Sequence, residues 1–175
     1  MKKLNLGCGN DIKDGYINCD NFESDLIDVI HDLEKFPYPW KDNTFDEILL
    51  INVLEHLSEP IKVIEEIYRI SKKNGKIIVR VPYCNSQDMF TDPTHKTFFN
   101  QYSFDFFDEE KRHCQERPYY SIARFSIEKI SGYTSFIKKY KIVEASLWQS
   151  FLFGIAKYVG NIILVIEFNL KVRKK

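Results

Sequence analysis

The chain has no excess of charge of either sign: 25 lysines and arginines meet 25 aspartates and glutamates, so the net charge is zero. Without a basic surplus no overall field gathers a nucleic-acid backbone, and a nucleic-acid substrate is not expected. The four cysteines, Cys8, Cys19, Cys84 and Cys114, contain no C-x-x-C pair and share no metal-like spacing with the four histidines. That disfavours a disulfide frame and a zinc site and leaves reduced, mostly buried thiols. An internal repeat, a low-complexity tract and a Pro/Gly/Ser-rich linker are also lacking, so one domain over 1–175 is expected. No apolar stretch follows Lys2 and Lys3, so a secretory signal is not indicated and a cytoplasmic location is expected. The most apolar tract, FLFGIAKYVGNIILVI over 151–166, is too short to span a membrane and is broken by Lys157 and Asn161. A helix followed by an edge-covering strand is expected there. Lys171, Arg173, Lys174 and Lys175 behind it leave open a weak peripheral contact with anionic lipid.

What is present suits an α/β fold. Residues are 44% hydrophobic, 15% aromatic and 29% charged, which is enough apolar mass for a stable core. Lys3–Leu6 reads as a short strand ended by the turn Gly7-Cys8-Gly9-Asn10. Residues 16–19 read as a second strand with Asp20 at its end, and 26–30 as a third before His31-Asp32. FPYPW over 36–40 is a proline-stiffened loop, and FDEILLI (Phe45–Ile51) reads as a central buried strand. Apolar spacing of three and four predicts a helix over 59–73, with Ser58 as N-cap, Pro60 in the first turn and Asn74-Gly75 as its stop. KIIVRV over 76–81 is the next strand, which completes a right-handed βαβ unit with parallel pairing.

Residues 90–107 hold seven aromatics and are expected as a loop plus short helix over one end of the sheet, mostly core with one or two exposed. Residues 124–130 alternate as a half-buried strand does, 133–160 read as mainly helical, and 162–172 as the last strand. The expected architecture is Rossmann-like, a mostly parallel sheet with an antiparallel last strand. Its first half has reduced helices, because only six residues separate Gly9 from Tyr16 whereas a parallel crossover normally takes about a dozen.

In open α/β sheets ligands lie beyond the carboxyl ends of the strands. There this sequence places Gly7, Gly9 and Asn10, then Asp20, Asp32, Asn52, Pro82 and Tyr83, an acidic and backbone-accessible rim. A dinucleotide is disfavoured: Ile12 occupies the third glycine position of G-x-G-x-x-G, Asp11 would face the phosphates, and no acidic residue stands about 20 positions on. An acidic rim suits a cationic sulfonium compound instead. Asp20 could accept the ribose hydroxyls and Asp32 the adenine amino group of such a compound.

KLNLGCGN, NCDNF, HDLEKFPYPWKDNTFDEILLINVLEHL and NGKIIVRVPY, in that order over residues 3–83, resemble the successive motifs of class I S-adenosylmethionine-dependent methyltransferases of the broad type 11 group. DPTHKTFFNQYSF over 92–104 resembles a subset of predicted methyltransferases associated with surface-polysaccharide or glycan genes. The resemblance implies that Gly7, Cys8, Gly9 and Asn10 line the methionine moiety of S-adenosylmethionine, that Asp20 and Asn21 meet the ribose, and that Asp32 and Leu33 frame the adenine. It further implies that Asn52 and Val53 lie near the sulfonium. Residues 1–83 would then form the cofactor-binding half and 84–175 the substrate side, with a small molecule or glycan as acceptor. A non-catalytic cofactor-binding module of the same fold is the alternative.

A hydroxyl acceptor wants a base, and histidine is suited to the task. His56, on the turn after the central strand, and His95, with Asp92 in DPTHK, are the catalytic candidates. His31 and His113 read as structural or solvated.

Overall fold

The computed structural model describes residues 1–134, 141–143 and 147–174. Strands β1 (Lys3–Leu6), β2 (Ile17–Asp20), β3 (Val29–Ile30) and β4 (Phe45–Ile51) precede helix α1 (Pro60–Ile70) and strand β5 (Ser71–Pro82). The short helices α2 (Gln87–Thr91) and α3 (Arg112–Glu116) lead to β6 (Phe125–Thr134), β7 (Lys141–Val143), α4 (Leu147–Ala156) and β8 (Val165–Val172). The strands form one sheet in the order β3-β2-β1-β4-β5-β8-β6-β7. Pairings β2/β3, β1/β2, β1/β4 and β4/β5 are parallel, while β8 runs antiparallel to both β5 and β6, and β7 antiparallel to β6. This is the Rossmann-like, mostly parallel sheet with an antiparallel last strand that the sequence leads one to expect. The last strand is not an edge cover, however. It is inserted between β5 and β6, and apolarity alone does not say which neighbours a strand finds.

Helix α1 buries Val63, Ile64, Ile67 and Ile70, one stripe at helical spacing. It is shorter than expected at both ends. Glu59, not Ser58, is its N-cap and makes no side-chain bond there, and the Ser58 amide donates to Glu34 Oε1. At the other end its last carbonyls are claimed early: the Asn43 amide donates to Arg69 O, the Thr44 amide to Ile70 O, and Ser71 Oγ to Ile67 O. The chain turns into β5 at Ser71, so Asn74-Gly75 falls within that strand instead of stopping the helix. The third expected strand shrinks to Val29–Ile30, and the last begins at Val165. Within 133–160, β6 extends to Thr134 and β7 is a strand, so only Leu147–Ala156 is helical among the described residues; 135–140 and 144–146 lie outside them.

The first half contains no α-helix before α1: β1, β2 and β3 are joined by loops. Register and alternation show what this does to the sheet. Leu4, Leu6, Cys19, Ile48, Leu50, Ile77, Val79, Ile166, Phe168 and Leu170 share one face and are buried. Tyr68 of α1 reaches the same apolar layer through Phe125, as Phe104 does through Phe168 at 4.5 Å between ring centroids. The other face carries Lys3, Glu47 and Lys76 in one row and Arg80 beside Glu167 in another. A doubly covered parallel sheet would be apolar on both sides.

Where a crossover helix would sit, two buried asparagines hold the 10–16 loop. Asn5 Nδ2 donates to Asp11 O and to Asn18 Oδ1, and Asn18 Oδ1 also accepts from the Lys13 amide. Asn18 Nδ2 donates to Lys13 O, and Asp28 Oδ2 accepts from the Asn18 amide. Buried polar groups are tolerated when each finds such partners.

Of the aromatics in 90–107, Phe99, Phe104 and Phe107 are core, while Phe90, Phe98 and Tyr102 are exposed, one more than the upper bound expected. The four cysteines are free, and all but half-buried Cys84 are buried. No described helix is long and apolar enough to cross a membrane.

Candidate functional site

The carboxyl ends of β1, β2, β3 and β4 open onto a cavity of about 310 Å³ walled by Gly7, Asp20, Asn21, His31, Asp32, Leu33, Glu34, Asn52, Val53, His56 and Leu57. Seven of the ten residues expected at the cofactor are therefore brought together. Cys8, Gly9 and Asn10 are not brought to the wall: the Cys8 amide donates to Cys19 O, and the Gly9 amide to Asp20 Oδ2 at 2.8 Å. Asp20 thus holds the glycine turn as well as facing the cavity, and its Oδ1 accepts from the Asn21 amide.

Gly7 has φ +64°, and a Cβ there would lie 2.5 Å from Val53 Cγ2, so the turn after β1 packs directly on the second residue after β4. The sequence reading passed over His31, which lines the cavity and whose Nε2 lies 3.1 Å from Lys35 O. His113 lies elsewhere, against Phe106 and 3.8 Å from Asp105. Among the described residues the wall carries three carboxylates and neither lysine nor arginine. That donor set fits a cationic ligand with hydroxyl and amino groups and repels a phosphate. The volume is in the range of small-molecule sites.

A second cavity, about 530 Å³, adjoins the first and shares Asn52 and His56 with it; its other walls are Glu55, Arg80, Pro82, Asp88, Thr91, Asp92, His95, Tyr133 and Val165. The shared residues follow from the end of β4. Asn52 adopts φ +55°, a conformation asparagine tolerates better than most residues, and its amide donates to Arg80 O. A single 3₁₀ turn, Leu54–His56, then points Glu55 inward and His56 between the cavities. Glu55 O accepts from the Lys96 and Thr97 amides, which lays the 94–97 loop on this turn. In consequence the rings of His56 and His95 sit 4.7 Å apart.

All three catalytic candidates line this cavity, and each imidazole is oriented from behind. Thr94 Oγ1 donates to Asp92 Oδ1 at 2.6 Å, so at 2.9 Å it accepts from His56 Nδ1. Asp92 thereby acts through Thr94, and those hydrogen bonds hold its carboxyl below the usual range. His95 Nδ1 lies 2.8 Å from Met89 O, a carbonyl that can only accept. In both rings Nδ1 therefore carries the proton and Nε2 the lone pair. Burial lowers the pKa of His56, and the nearby His95 lowers it further.

Sequence reasoning missed Glu55. It is fully buried, neither carboxylate oxygen has a hydrogen-bond partner, and burial pushes its carboxyl up to about 7. Arg80 and Tyr133 were also missed: Arg80 Nη2 and Tyr133 Oη meet Glu167 Oε2 at 2.6 and 3.0 Å, fixing the far wall of the second cavity.

Residues 8–79 match the methyltransferase domain family model. Two uncharacterized proteins of Methanocaldococcus jannaschii, MJ0638 and MJ1123, are 49% identical over 57 residues and 46% identical over 43. Those stretches cover 31% and 25% of this chain but only 25% and 21% of the relatives, so the chain spans about a quarter of their length or less. Among solved structures, an S-adenosylmethionine-dependent methyltransferase from Archaeoglobus fulgidus superposes with TM-score 0.64 at 15% identity, covering 97% of this chain and 85% of that one. The [4+2]-cyclase SpnF gives 0.60 at 15% identity, covering 99% and 75%. A methyltransferase from Thermotoga maritima gives 0.57 at 18% identity, covering 96% and 81%. SpnF shows that this fold serves more than one chemistry. The chain has the Rossmann-like fold of S-adenosylmethionine-dependent methyltransferases, and its domain match supports S-adenosylmethionine as the cofactor.

Proposed function

We propose that the chain is an S-adenosylmethionine-dependent methyltransferase whose acceptor is a small molecule or a glycan, not a nucleic acid. The observation that carries this is the pair of adjoining cavities: an acidic one at the ends of β1 to β4, and a larger polar one that shares Asn52 and His56 with it. In the first, Asp20 and Asn21 would hold the ribose, Asp32 and Leu33 the adenine, and the backbone around Gly7 the methionine end, with Asn52 and Val53 towards the sulfur. Bound there, S-adenosylmethionine supplies an electrophilic methyl group on a sulfonium. The acceptor sits in the second cavity.

The acceptor's nucleophilic atom bonds to the methyl carbon as the carbon–sulfur bond breaks and its electron pair stays on sulfur. A hydroxyl or amine acceptor gives up one proton, which passes to solvent. Such a displacement is accelerated chiefly by alignment. The chain's own contribution is to align the acceptor against the shared wall, where His56 and His95 face it and Asp92, through Thr94, fixes the His56 ring. Asp88 and Thr91 of α2 line the acceptor cavity, and Phe90 on the same helix is 70% exposed beside Phe98. Exposed aromatic faces of this kind support a sugar-bearing acceptor.

The test is a titration calorimetry measurement with S-adenosylmethionine, followed by an acceptor screen that includes oligosaccharides, with demethylated cofactor measured by mass spectrometry. Binding with acceptor-dependent product is expected. Binding without product across the screen would favour a non-catalytic cofactor-binding module, and absence of binding would overturn the proposal.

A further inference from the structure

We infer that Glu55, His56 and His95 form a binding site for one divalent cation of the first transition row, at the boundary of the two cavities. A ligand atom of each of the three lies within 4.8 Å of those of the other two. The donors of such an ion stand about 2.0–2.2 Å from it, so modest side-chain adjustment brings these three onto a common centre.

Two independent features fit an ion and are hard to account for without one. Glu55 is fully buried with both carboxylate oxygens unpartnered, whereas a buried carboxylate ordinarily collects several hydrogen bonds. Both histidines are braced through Nδ1, by Thr94 backed by Asp92 and by the Met89 carbonyl, which is how metal-bound imidazoles are commonly oriented. Their Nε2 lone pairs are left for a ligand. The bracing is itself built in: Ser86 Oγ caps α2 by accepting from the Met89 amide, and the Glu55 carbonyl anchors the 94–97 loop.

Two imidazoles and one carboxylate suit a first-row transition ion better than magnesium or calcium, which prefer oxygen alone. Three protein ligands leave coordination positions open towards the cavity that Asp88, Arg80 and Tyr133 also line. An acceptor presenting a hydroxyl or carboxylate oxygen could fill one of them. That last role rests on the proposed methyl transfer; the ion site does not.

The test uses the full chain, stripped with chelator and titrated with Co²⁺ followed by absorption spectroscopy, and separately with Mn²⁺ followed by electron paramagnetic resonance. One equivalent is expected to bind. Glu55→Gln keeps the size of the side chain, and His95→Ala removes a donor; each should weaken binding at least tenfold, Thr94→Val should weaken it less than tenfold, and His113→Ala should leave it unchanged. Circular dichroism checks folding, and Glu55→Gln carries the test if His95→Ala does not fold. No stoichiometric binding, or binding unaffected by Glu55→Gln in a folded protein, would overturn the inference and leave Glu55 as a neutral buried acid. S-adenosylhomocysteine binding by calorimetry, measured without metal on the same samples, tells failure of the ion site apart from failure of the cofactor site.

Discussion

Gly7 is where the two halves of the acidic cavity touch, so Gly7→Ala probes its construction. Two costs are expected. The backbone at Gly7 is left-handed, φ +64°, which costs an ordinary residue about 1–2 kcal/mol. The new methyl would also lie 2.5 Å from Val53 Cγ2 and 2.7 Å from Cγ1, an overlap that must push Val53 aside at about 1–3 kcal/mol. The sum, about 2–5 kcal/mol, corresponds to a fall in Tm of roughly 4–20 °C for a chain of this size. Gly15→Ala is the control, because Gly15 has φ +78° but nothing within 4 Å of its added Cβ, so it should show only the backbone cost of about 1–2 kcal/mol. Trimming the obstacle should relieve the overlap alone: Gly7→Ala should cost about 1–3 kcal/mol less in a Val53→Ala background. Urea unfolding of the wild type, the three single variants and the double mutant measures each quantity. If Gly7→Ala costs no more than Gly15→Ala, or if Val53→Ala gives no relief, the close packing of the two strand ends is wrong.

Replacing Asn18 by Leu leaves the Lys13 amide and one N–H of the Asn5 side chain without their partner, Asn5 Nδ2 keeping only Asp11 O, and should cost about 2–4 kcal/mol while exposing the amides of 11–16 to hydrogen exchange. Glu66 tests the acid limb of stability. Its hydrogen bonds from Arg69, at 2.8 Å to each oxygen, hold its carboxyl below the usual range, with the Tyr38 amide adding to the effect against burial. A depressed folded pKa means stability that is present above the unfolded value and lost as pH falls through the folded one. Glu66→Gln should therefore be less stable than wild type at neutral pH by about 1–2 kcal/mol, with the gap closing below about pH 4 in denaturation curves taken across that range. Thr94→Val should lower turnover with cofactor affinity unchanged, since Thr94 reaches the site only through His56; a change in cofactor affinity instead would point to a general disturbance of the wall.

Much of this was legible in the sequence, and the exceptions have physical reasons. β1 and β4 were readable to the residue because short apolar runs there end in glycine or asparagine turns. The absence of a first helix followed from chain length alone. The overrun of α1 arose because helical spacing continues to Ser71, whereas the Asn43 and Thr44 amides that close the helix come from an earlier loop. The one-faced character of the sheet was written in the alternation of KLNL, INCD and VIEFNLKV, but a strand flanked by a glycine turn invites attention to its end instead of its pattern. The wall of the acidic cavity could be named from residues just past strands, since every parallel strand delivers its carboxyl end to the same side. The Glu55, His56 and His95 group could not, because His95 joins it only through the loop bonds to the Glu55 carbonyl. Glu55 itself stands next to Leu54 and His56 in a run that reads as ordinary turn.

The central claim is that the acidic cavity at the ends of β1 to β4 holds a sulfonium cofactor. Calorimetric titration with S-adenosylmethionine, on the wild type and on Asp20→Asn and Asp32→Asn, tests it most directly. One molecule per chain should bind, and each variant should lose about tenfold or more in affinity, the worth of a charge-assisted hydrogen bond. No heat with the wild type, or wild-type affinity in both variants, would contradict it.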